Sequence, residues 1–328
     1  MKKILLIGGE GYIGKSLTNY LSKKKYNLVS FDSCIYGQNL EAKNKKIKNY
    51  KFIKGDISKK KDLDRISKIN FDAIVLLAGL VGDPITKKYK SLSKKINEKA
   101  SIDLIKKIYL WDNSKKFIFI STCSNYGFSS SRYLTEKHKL KPISLYAKSK
   151  VKVEKKIMNL KKKDSFQPTI LRFATAFGHS ERMRYDLTIN QFVFELYKKG
   201  FIEVYDYNTW RPYCHVKDFA RLIERVIKAD QSLTAYEIFN VGSNKNNYTK
   251  KDIAKKIKKR IGGKIVFSKK SQDKRNYIVD FSKVKKKLSF LPKYSVEYGI
   301  NEIIKNLKLE KNKIINYTNF GNYKISKK

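Results

Sequence analysis

The sequence is poor in the side chains that build disulfide frameworks and metal sites, with 3 cysteines and 3 histidines among 328 residues. Cys34, Cys123 and Cys214 are isolated, odd in number and lack metal-ligand spacing. The sequence therefore predicts no metal site and suits a reducing cytoplasm. No segment approaches about 18 uninterrupted apolar residues, so no membrane span is predicted.

Acidic residues are also scarce, with 29 against 74 basic ones and a formal net charge of +45. Such a charge can indicate binding to nucleic acid or to a membrane surface. The basic residues are mostly lysines in short scattered runs, such as Lys23 to Lys25 and Lys285 to Lys287, with no arginine-rich tract. We interpret the charge as a compositional preference for lysine, and we predict neither a nucleic-acid nor a membrane partner.

What the chain does have is a glycine run between a predicted strand and a predicted helix. Ile4 to Ile7 is apolar throughout and predicts a buried strand, and Ser16 to Lys25 has helical spacing of its apolar residues. The turn between them fits both G-x-G-x-x-G and G-x-x-G-x-x-G, through Gly8, Gly9, Gly11 and Gly14. Backbone without side chains can approach a pyrophosphate, whose charge a helix N-terminus favours. Alone, the same pattern would fit an ordinary glycine-rich turn.

Further strand patterns alternate with helical stretches. They are Leu28 to Asp32, Phe52 to Ile57, Asp72 to Gly79 and Phe117 to Ser121. This alternation predicts right-handed βαβ units and an α/β fold with a doubly wound parallel sheet. Asp32 ends the second pattern about 20 residues beyond the glycines, where an acid binds the adenosine ribose and repels a 2′-phosphate. The sequence therefore predicts NAD rather than NADP.

Tyr146 and Lys150 form a Y-x-x-x-K pair on one face of a predicted helix. A free tyrosine, with a pKa near 10, is a poor base, and a nearby ammonium and the nicotinamide ring would lower that pKa. Chance pairs have the same spacing, as Tyr20 and Lys24 do. Position favours the functional interpretation, because this helix follows the fifth strand pattern and its hydroxyl-rich turn, Ser121 to Gly127.

With these motifs the chain resembles the extended short-chain dehydrogenase/reductases, a family of nucleotide-sugar epimerases, dehydratases and ketoreductases. Trp210 to Asp218 is similar to the family's R-x-x-x-H-V-x-D segment, and Phe239 to Gly242 is similar to its F-N-V-G strand end. The resemblance reaches about Leu309 and implies a Rossmann-type sheet with a smaller, discontinuous α/β substrate-binding lobe. It places the NAD-binding domain at 1–174 and 213–242, the sugar-nucleotide lobe at 175–212 and 243–309, and a polar tail at 310–328.

The resemblance also implies a role for each matched residue. Thr122 would donate a hydrogen bond to the sugar hydroxyl, Tyr146 would accept its proton, and Lys150 would bind the nicotinamide ribose. The cofactor-binding residues would be Gly8, Gly11, Tyr12, Ile13, Gly14, Asp32, Asp56, Ile57, Leu77, Ala78, Gly79, Asn97 and Lys150. The substrate-binding residues would be Thr175, Asn190, Arg211 and Arg275, with Arg211 on the diphosphate and Lys270 competing with Arg275 for a second phosphate contact.

Departures from the family pattern bear on the reaction. Similar 4,6-dehydratases carry acids directly after the residue matching Thr122, whereas Cys123 and Ser124 follow here, so dehydration is disfavoured. Thr175 stands where epimerases carry an asparagine, which argues against standard UDP-hexose epimerisation. The segment Glu181 to Leu187 looks like a subgroup associated with bacterial surface-sugar pathways, some of whose members oxidise C4 of a GDP-heptose.

These observations predict an NAD-dependent C4 epimerase of a nucleotide-diphosphate sugar, serving bacterial surface-polysaccharide biosynthesis. The alternative is a C4 dehydrogenase or ketoreductase, for example on a GDP-heptose; the sequence does not fix the nucleotide, the sugar or this choice. A non-catalytic NAD sensor is disfavoured, because it need not keep Thr122, Tyr146 and Lys150. A homodimer is expected, with the helices near Lys94 to Leu110 and Tyr146 to Leu160 packed across a two-fold axis.

Overall fold

The computed structural model describes residues 1–36, 47–111, 116–129, 133–268 and 275–309. The predicted polar tail at 310–328 and Lys270 lie outside the described residues.

The described residues form one large parallel sheet, as the sequence predicted. Its strands are β1 (Lys2–Ile7), β2 (Tyr26–Asp32), β3 (Tyr50–Lys54), β4 (Ala73–Leu76), β5 (Lys116–Thr122), β6 (Gln167–Phe173) and β10 (Glu237–Val241). They lie in the order β10-β6-β5-β4-β1-β2-β3, and all neighbouring pairs are parallel. The strand order reverses between β1 and β4, so the sheet is doubly wound and of Rossmann type.

Smaller sheets form the second lobe. One contains β7 (Thr175–Phe177), β9 (Trp210–His215) and β11 (Asn247–Thr249), and the other pairs β8 (Phe201–Tyr205) with β12 (Lys264–Ser268). The predicted lobe boundary at residue 213 falls inside β9, which pairs with both β7 and β11. The other predicted boundaries stay predictions.

Helices cover both faces of the main sheet and most of the second lobe. The early ones are α1 (Tyr12–Leu21), α2 (Lys60–Ser67), α3 (Asp83–Lys88), α4 (Lys90–Ser93), α5 (Ser101–Leu110) and α6 (Leu145–Met158). The later ones are α7 (Thr188–Lys199), α8 (Val216–Lys228), α9 (Gln231–Thr234), α10 (Lys250–Ile261), α11 (Ser282–Leu288) and α12 (Val296–Leu309). Within these described ranges, no helix has the length and apolar character needed to span a bilayer.

The main sheet is buried on both faces, which explains why its strands are apolar throughout. Along β1, Ile4 and Leu6 pack into one apolar cluster, while Leu5 and Ile7 pack into the cluster on the opposite face. A continuous apolar run is therefore what this strand position requires.

The glycine turn is tighter than predicted, because α1 begins at Tyr12 rather than at Ser16. Gly8 has φ +87°, and a Cβ there would lie 2.5 Å from the Ala78 nitrogen. A Cβ on Gly14, inside the first turns of the helix, would lie 2.4 Å from the Gly9 carbonyl oxygen. Glycine at these positions lets the helix start directly at the cleft, so its first N–H groups, which have no acceptor within a helix, face that space.

The predicted helix from Leu92 to Leu110 is interrupted. A π-helical segment, Lys94–Ala100, separates α4 from α5. Such wide turns often occur at functional sites, and this one carries Asn97.

Candidate active site

A cleft of about 570 Å³ opens at the carboxyl ends of the main-sheet strands and is closed on its far side by the second lobe. In open parallel sheets, ligands bind at this edge, where the strand order reverses. Among the residues predicted to bind the cofactor, the cleft is lined by Gly8, Gly11, Tyr12, Ile13, Gly14, Asp32, Asp56, Ile57, Leu77, Ala78, Gly79 and Lys150. It is also lined by Thr122, Tyr146, Thr175, Arg211 and Arg275. The structure therefore brings together all the predicted site residues except Asn97 and Asn190.

The glycine turn has room for a dinucleotide. A Cβ on Gly11 would meet nothing closer than the Gly8 carbonyl oxygen at 3.5 Å, so this position faces open cleft. The first N–H groups of α1 stand beside it and can donate to an anion. The residues present at this turn therefore fit a pyrophosphate.

Asp32 holds the two loops that border the cofactor end of the cleft. Its Oδ2 accepts a hydrogen bond from the Glu10 nitrogen at 3.0 Å, and its Oδ1 accepts one from the Cys34 nitrogen at 2.8 Å. Burial raises the pKa of this carboxyl, and these backbone donors oppose that effect. Each carboxylate oxygen keeps a second lone pair, which can accept from a ribose hydroxyl.

Asn97, a predicted cofactor contact, is not among the residues that line the cleft. Its side chain is buried and exchanges hydrogen bonds with the backbone of Leu80, Nδ2 donating at 2.8 Å and Oδ1 accepting at 2.7 Å. Nδ2 also donates to Ser93. The side chain therefore holds the loop after β4 from behind, and it acts on a ligand only through that loop.

Asn190, a predicted substrate contact, also does not line the cleft, and its amide is hydrogen-bonded within the protein. It is fully buried, its Oδ1 accepts from the Gly178 nitrogen at 3.0 Å, and its Nδ2 donates to Arg184 O and Tyr12 Oη. The family position carries the right residue type, but here that residue fixes the chain between Gly178 and Arg184 rather than facing substrate.

Tyr146 and Lys150 lie on one face of α6 at the centre of the cleft, as predicted. The Lys150 Nζ donates to the Ile120 carbonyl at 2.8 Å and lies 4.6 Å from the Phe119 ring centroid and 5.8 Å from that of Tyr146. Burial lowers the pKa of Lys150 to about 8, partly offset by the charge of Glu154. In the structure Lys150 is thus bound to the end of β5, next to the tyrosine ring.

The electrostatics of Tyr146 differ from the sequence prediction. Burial raises the pKa of its phenol; the charge of Arg184 opposes this rise, and that of Asp83 adds to it. The sequence analysis predicted that Lys150 would lower the pKa of Tyr146, but in the protein without cofactor that pKa is raised. Desolvation dominates, because neutral phenol is favoured over phenolate in a buried site.

The turn after β5 places two hydroxyl-bearing residues in the cleft and turns the side chain between them away. Thr122 Oγ1 lies 2.9 Å from Ser124 Oγ, and both residues line the cleft. The Cys123 thiol is buried and donates to the Arg172 carbonyl at 3.1 Å, and burial raises its pKa. Cys123 therefore cannot act as an acid or base in this cleft.

A buried ion pair beneath the site fixes α6 against the sheet. Arg172 Nη2 lies 2.7 Å from Glu154 Oε2, and both side chains are almost fully buried. Glu154 also accepts from Ser121 and Asn125, and Arg172 also donates to Tyr126. Glu154 is one helical turn beyond Lys150, so this pair sets the rotation of the helix that carries both Tyr146 and Lys150.

Arg211 and Arg275 lie together at the second-lobe end of the cleft. Arg211 is buried, donates through Nη1 to the carbonyls of Trp210 and Arg275, and lies 5.3 Å from the Tyr277 ring centroid. Arg275 Nη2 forms an ion pair with Asp83 Oδ2. The two predicted phosphate residues are thus adjacent, and one of them is held by a carboxylate.

Sequence reasoning missed several charged and aromatic residues of the cleft: Tyr36, Asp83, Lys87, Arg182, Arg184, Asp186 and Lys250. The signal for three of them was present, because Glu181 to Leu187 stood out as unusual and contains Arg182, Arg184 and Asp186. His215, in the segment Trp210 to Asp218, is fully buried, and its Nε2 lies 3.0 Å from Glu302 Oε2, so its role is structural.

Comparison with known proteins agrees with this architecture. A model of the NAD dependent epimerase/dehydratase family matches residues 4–242. A UDP-glucose 4-epimerase from Lactobacillus helveticus is 25% identical over 316 residues, covering 89% of this chain and 92% of that protein.

Solved structures show the same fold. A UDP-glucuronic acid 4-epimerase from Bacillus cereus, in complex with UDP-glucuronic acid and NAD, superposes with a TM-score of 0.83 at 23% identity, covering 94% of this chain and 99% of that one. A dTDP-glucose 4,6-dehydratase from Bacillus anthracis, in complex with NAD, gives a TM-score of 0.81 at 23% identity, covering 95% and 98% of the two chains. Epimerases and dehydratases both share the fold, so the fold alone does not choose between their reactions.

Proposed function

The chain belongs to the NAD-dependent epimerase/dehydratase family, and on that premise we propose that it is a nucleotide-sugar 4-epimerase. The observation that carries the proposal is the convergence of Thr122, Tyr146 and Lys150 in one cleft, while the side chain directly after Thr122 is buried elsewhere. Bound NAD would accept a hydride from sugar C4 and later return it.

The chain's own groups would move the proton. Thr122 would donate a hydrogen bond to the C4 hydroxyl and fix its direction, and Tyr146 would accept its proton as the hydride leaves. Lys150, held at the end of β5, would bind the nicotinamide ribose beside Tyr146. Arg184 supplies positive charge that favours the phenolate, in opposition to its burial.

Elimination of water is disfavoured by the acids available. It needs one group to protonate the departing C6 hydroxyl and another to remove the C5 proton. Among the described carboxylates that line the cleft, Asp83 is paired with Arg275 and Asp186 with Arg184. Asp32 and Asp56 accept backbone hydrogen bonds at the other end. Ser124 does not ionise near neutral pH.

The substrate class we propose is a nucleotide-diphosphate sugar. Arg211 and Arg275 would bind the diphosphate between the sugar and the base, because they lie together in the cleft and guanidinium forks suit phosphate oxygens. Relatives named for UDP-glucose and UDP-glucuronate support this class. We keep bacterial surface-polysaccharide biosynthesis as the proposed context and the cytoplasm as the proposed compartment, on the sequence features given above.

A C4 dehydrogenase or ketoreductase is the second candidate, because it uses the same proton-transfer residues. Incubation with a panel of UDP-, GDP- and dTDP-sugars, followed by mass spectrometry, NMR and NADH absorbance, separates the reactions. An epimerase gives an isomer of unchanged mass without net NADH. A dehydrogenase gives a ketone and one NADH per product.

The Tyr146→Phe protein serves as the control for contaminating activity in the same panel. An efficiently formed product that has lost one water would contradict the proposal.

A further inference from the structure

The segment 178–186 crosses from the second lobe to the glycine turn, and we call it the arch. The Tyr12 hydroxyl donates to the Gly178 carbonyl at 2.7 Å, and the Ser180 hydroxyl donates to the Tyr12 carbonyl at 2.8 Å. Asn19, further along α1, donates to Glu181 at 2.9 Å. The arch is therefore fixed to the helix that begins at the glycines.

The arch presents two arginines to the cleft. Arg182 is 3% exposed and Arg184 is 8% exposed, yet both line the cleft. The guanidinium of Arg182 lies 4.6 Å from the Tyr36 ring centroid, so it is seated on an aromatic face. Arg184 forms an ion pair with Asp186 at 2.5 Å. Their charges are thus held in fixed places on the inner side of the arch.

Both arginines line the same cleft as the two ends of the predicted cofactor site. Arg182 lies against Tyr36, four residues after Asp32, and so borders the adenosine-ribose end; its charge also opposes the burial that raises the pKa of Asp32. Arg184 acts in the same way on Tyr146, at the reacting end. Between a dinucleotide's two ribose groups lies a pyrophosphate with two negative charges.

We propose that Arg182 is a cofactor-binding residue: seated on Tyr36 in the cleft that the glycine turn also lines, it binds the pyrophosphate and slows dissociation of the dinucleotide. A guanidinium suits this position because it donates two parallel hydrogen bonds to phosphate oxygens and keeps its charge when buried. Slow release of the cofactor serves epimerisation, because the reduced cofactor must return its hydride to the same sugar. The inference concerns the cofactor, and it holds whichever sugar is turned over.

The test measures nucleotide binding without any sugar. Arg182→Gln should weaken NAD and NADH binding about tenfold to a hundredfold in calorimetry, mostly through faster NADH release in a fluorescence chase. Arg182→Lys, which keeps the charge but loses the fork, should fall between this variant and the wild type. Arg65→Gln removes an exposed arginine on α2 and controls for the loss of one positive charge from the whole protein.

Ligand fragments locate the contact. ADP-ribose carries the diphosphate and should lose affinity as NAD does, whereas adenosine should bind both proteins equally. Equal losses for adenosine and ADP-ribose would place the effect at the adenosine end and overturn the assignment. Wild-type NAD affinity and release in a folded Arg182→Gln or Arg182→Lys protein, with folding checked by thermal unfolding without NAD, would overturn it as well.

Discussion

Arg275 and Asp83 form an ion pair from opposite sides of the cleft, with 2.9 Å between Nη2 and Oδ2. A diphosphate that binds Arg275 must compete with this carboxylate, which also adds negative charge to the site. Asp83→Asn should therefore tighten the binding of UDP or GDP, measured by calorimetry, by roughly threefold to tenfold. The exposed Asp64→Asn on α2 is the control, and the gain should vanish when Arg275→Gln is added. Unchanged or weaker binding in Asp83→Asn would contradict this competition.

Asp32 should set the preference for NAD over NADP. Its carboxylate faces the adenosine end of the cleft and would repel a 2′-phosphate. Asp32→Ala should weaken NAD binding and narrow the difference between the two cofactors. Asp32→Asn is the matched variant, because its amide oxygen can still accept from one of the two backbone donors. Equal affinity of the wild-type protein for NAD and NADP would remove the role given to this residue.

Tyr146→Phe should reduce turnover of the correct sugar nucleotide by roughly two to four orders of magnitude, as loss of a positioned proton acceptor does. Its affinity for NAD should stay near the wild-type value, because only a hydroxyl is removed. Turnover and NAD titration on the same preparation check both halves of the statement. Wild-type turnover in this variant would show that another group takes the proton.

Lys150 should destabilise the cofactor-free protein at neutral pH. Burial lowers its pKa from 10.5 to about 8, so the unfolded chain holds this proton more tightly than the folded one. The cost is fully present below pH about 8 and is relieved as the pH rises towards about 10.5, so this group raises the free energy of unfolding through that window.

Lys150→Met should therefore increase the free energy of unfolding at pH 7 by roughly 1–2 kcal/mol, after allowing for the hydrogen bond lost at Ile120. The variant should also lack the part of the increase in the free energy of unfolding, between pH about 8 and about 10.5, that Lys150 contributes. Urea unfolding at pH 7 and near pH 9.5 measures both effects. The exposed Lys148→Met on the same helix is the control, and a Lys150→Met protein less stable than the wild type at pH 7 would refute the argument.

A homodimer stays our prediction for assembly, and the structure leaves only a few apolar side chains of α5 and α6 exposed to form its interface. Most apolar side chains of α5 and α6 are buried within the chain, and the exposed ones are Leu110, Leu145 and Met158. Light scattering at micromolar concentration should give twice the 38.3 kDa chain mass. Leu110→Glu and Met158→Glu should shift it towards monomer, and a fully active monomer would rule the dimer out.

The predictions from sequence were most accurate at positions where the backbone conformation or packing allows only one type of residue. At Gly8 and Gly14 the backbone packs so closely against other backbone atoms that a side chain would not fit. Glycines required in this way appear in the sequence at fixed spacings. The alternation of apolar strands and helices fixed the sheet for the same reason. For Asn97 and Asn190, which do not line the cleft, the motif gave the position of the residue but not the hydrogen bonds that occupy its amide.

The arch could not be placed from sequence, because its position depends on contacts between distant parts of the chain. Arg182 and Arg184 were visible only as an unusual local composition. Nothing local says that Arg182 meets Tyr36, in the loop after β2, or that the charge of Arg184 acts on Tyr146, on α6. The same holds for the ion pair between Asp83 and Arg275.

The hydrogen bond from Tyr12 to Gly178 joins positions 166 residues apart, and this separation has a consequence for the chain during its synthesis. The glycine turn leaves the ribosome early, whereas the arch that closes over it emerges only after β1 to β6 have been made. Contacts between such distant positions form late, because closing a long loop costs conformational entropy before the contact can stabilise the fold. A nascent chain can therefore pair its first strands and display an open glycine turn long before it can hold a dinucleotide firmly.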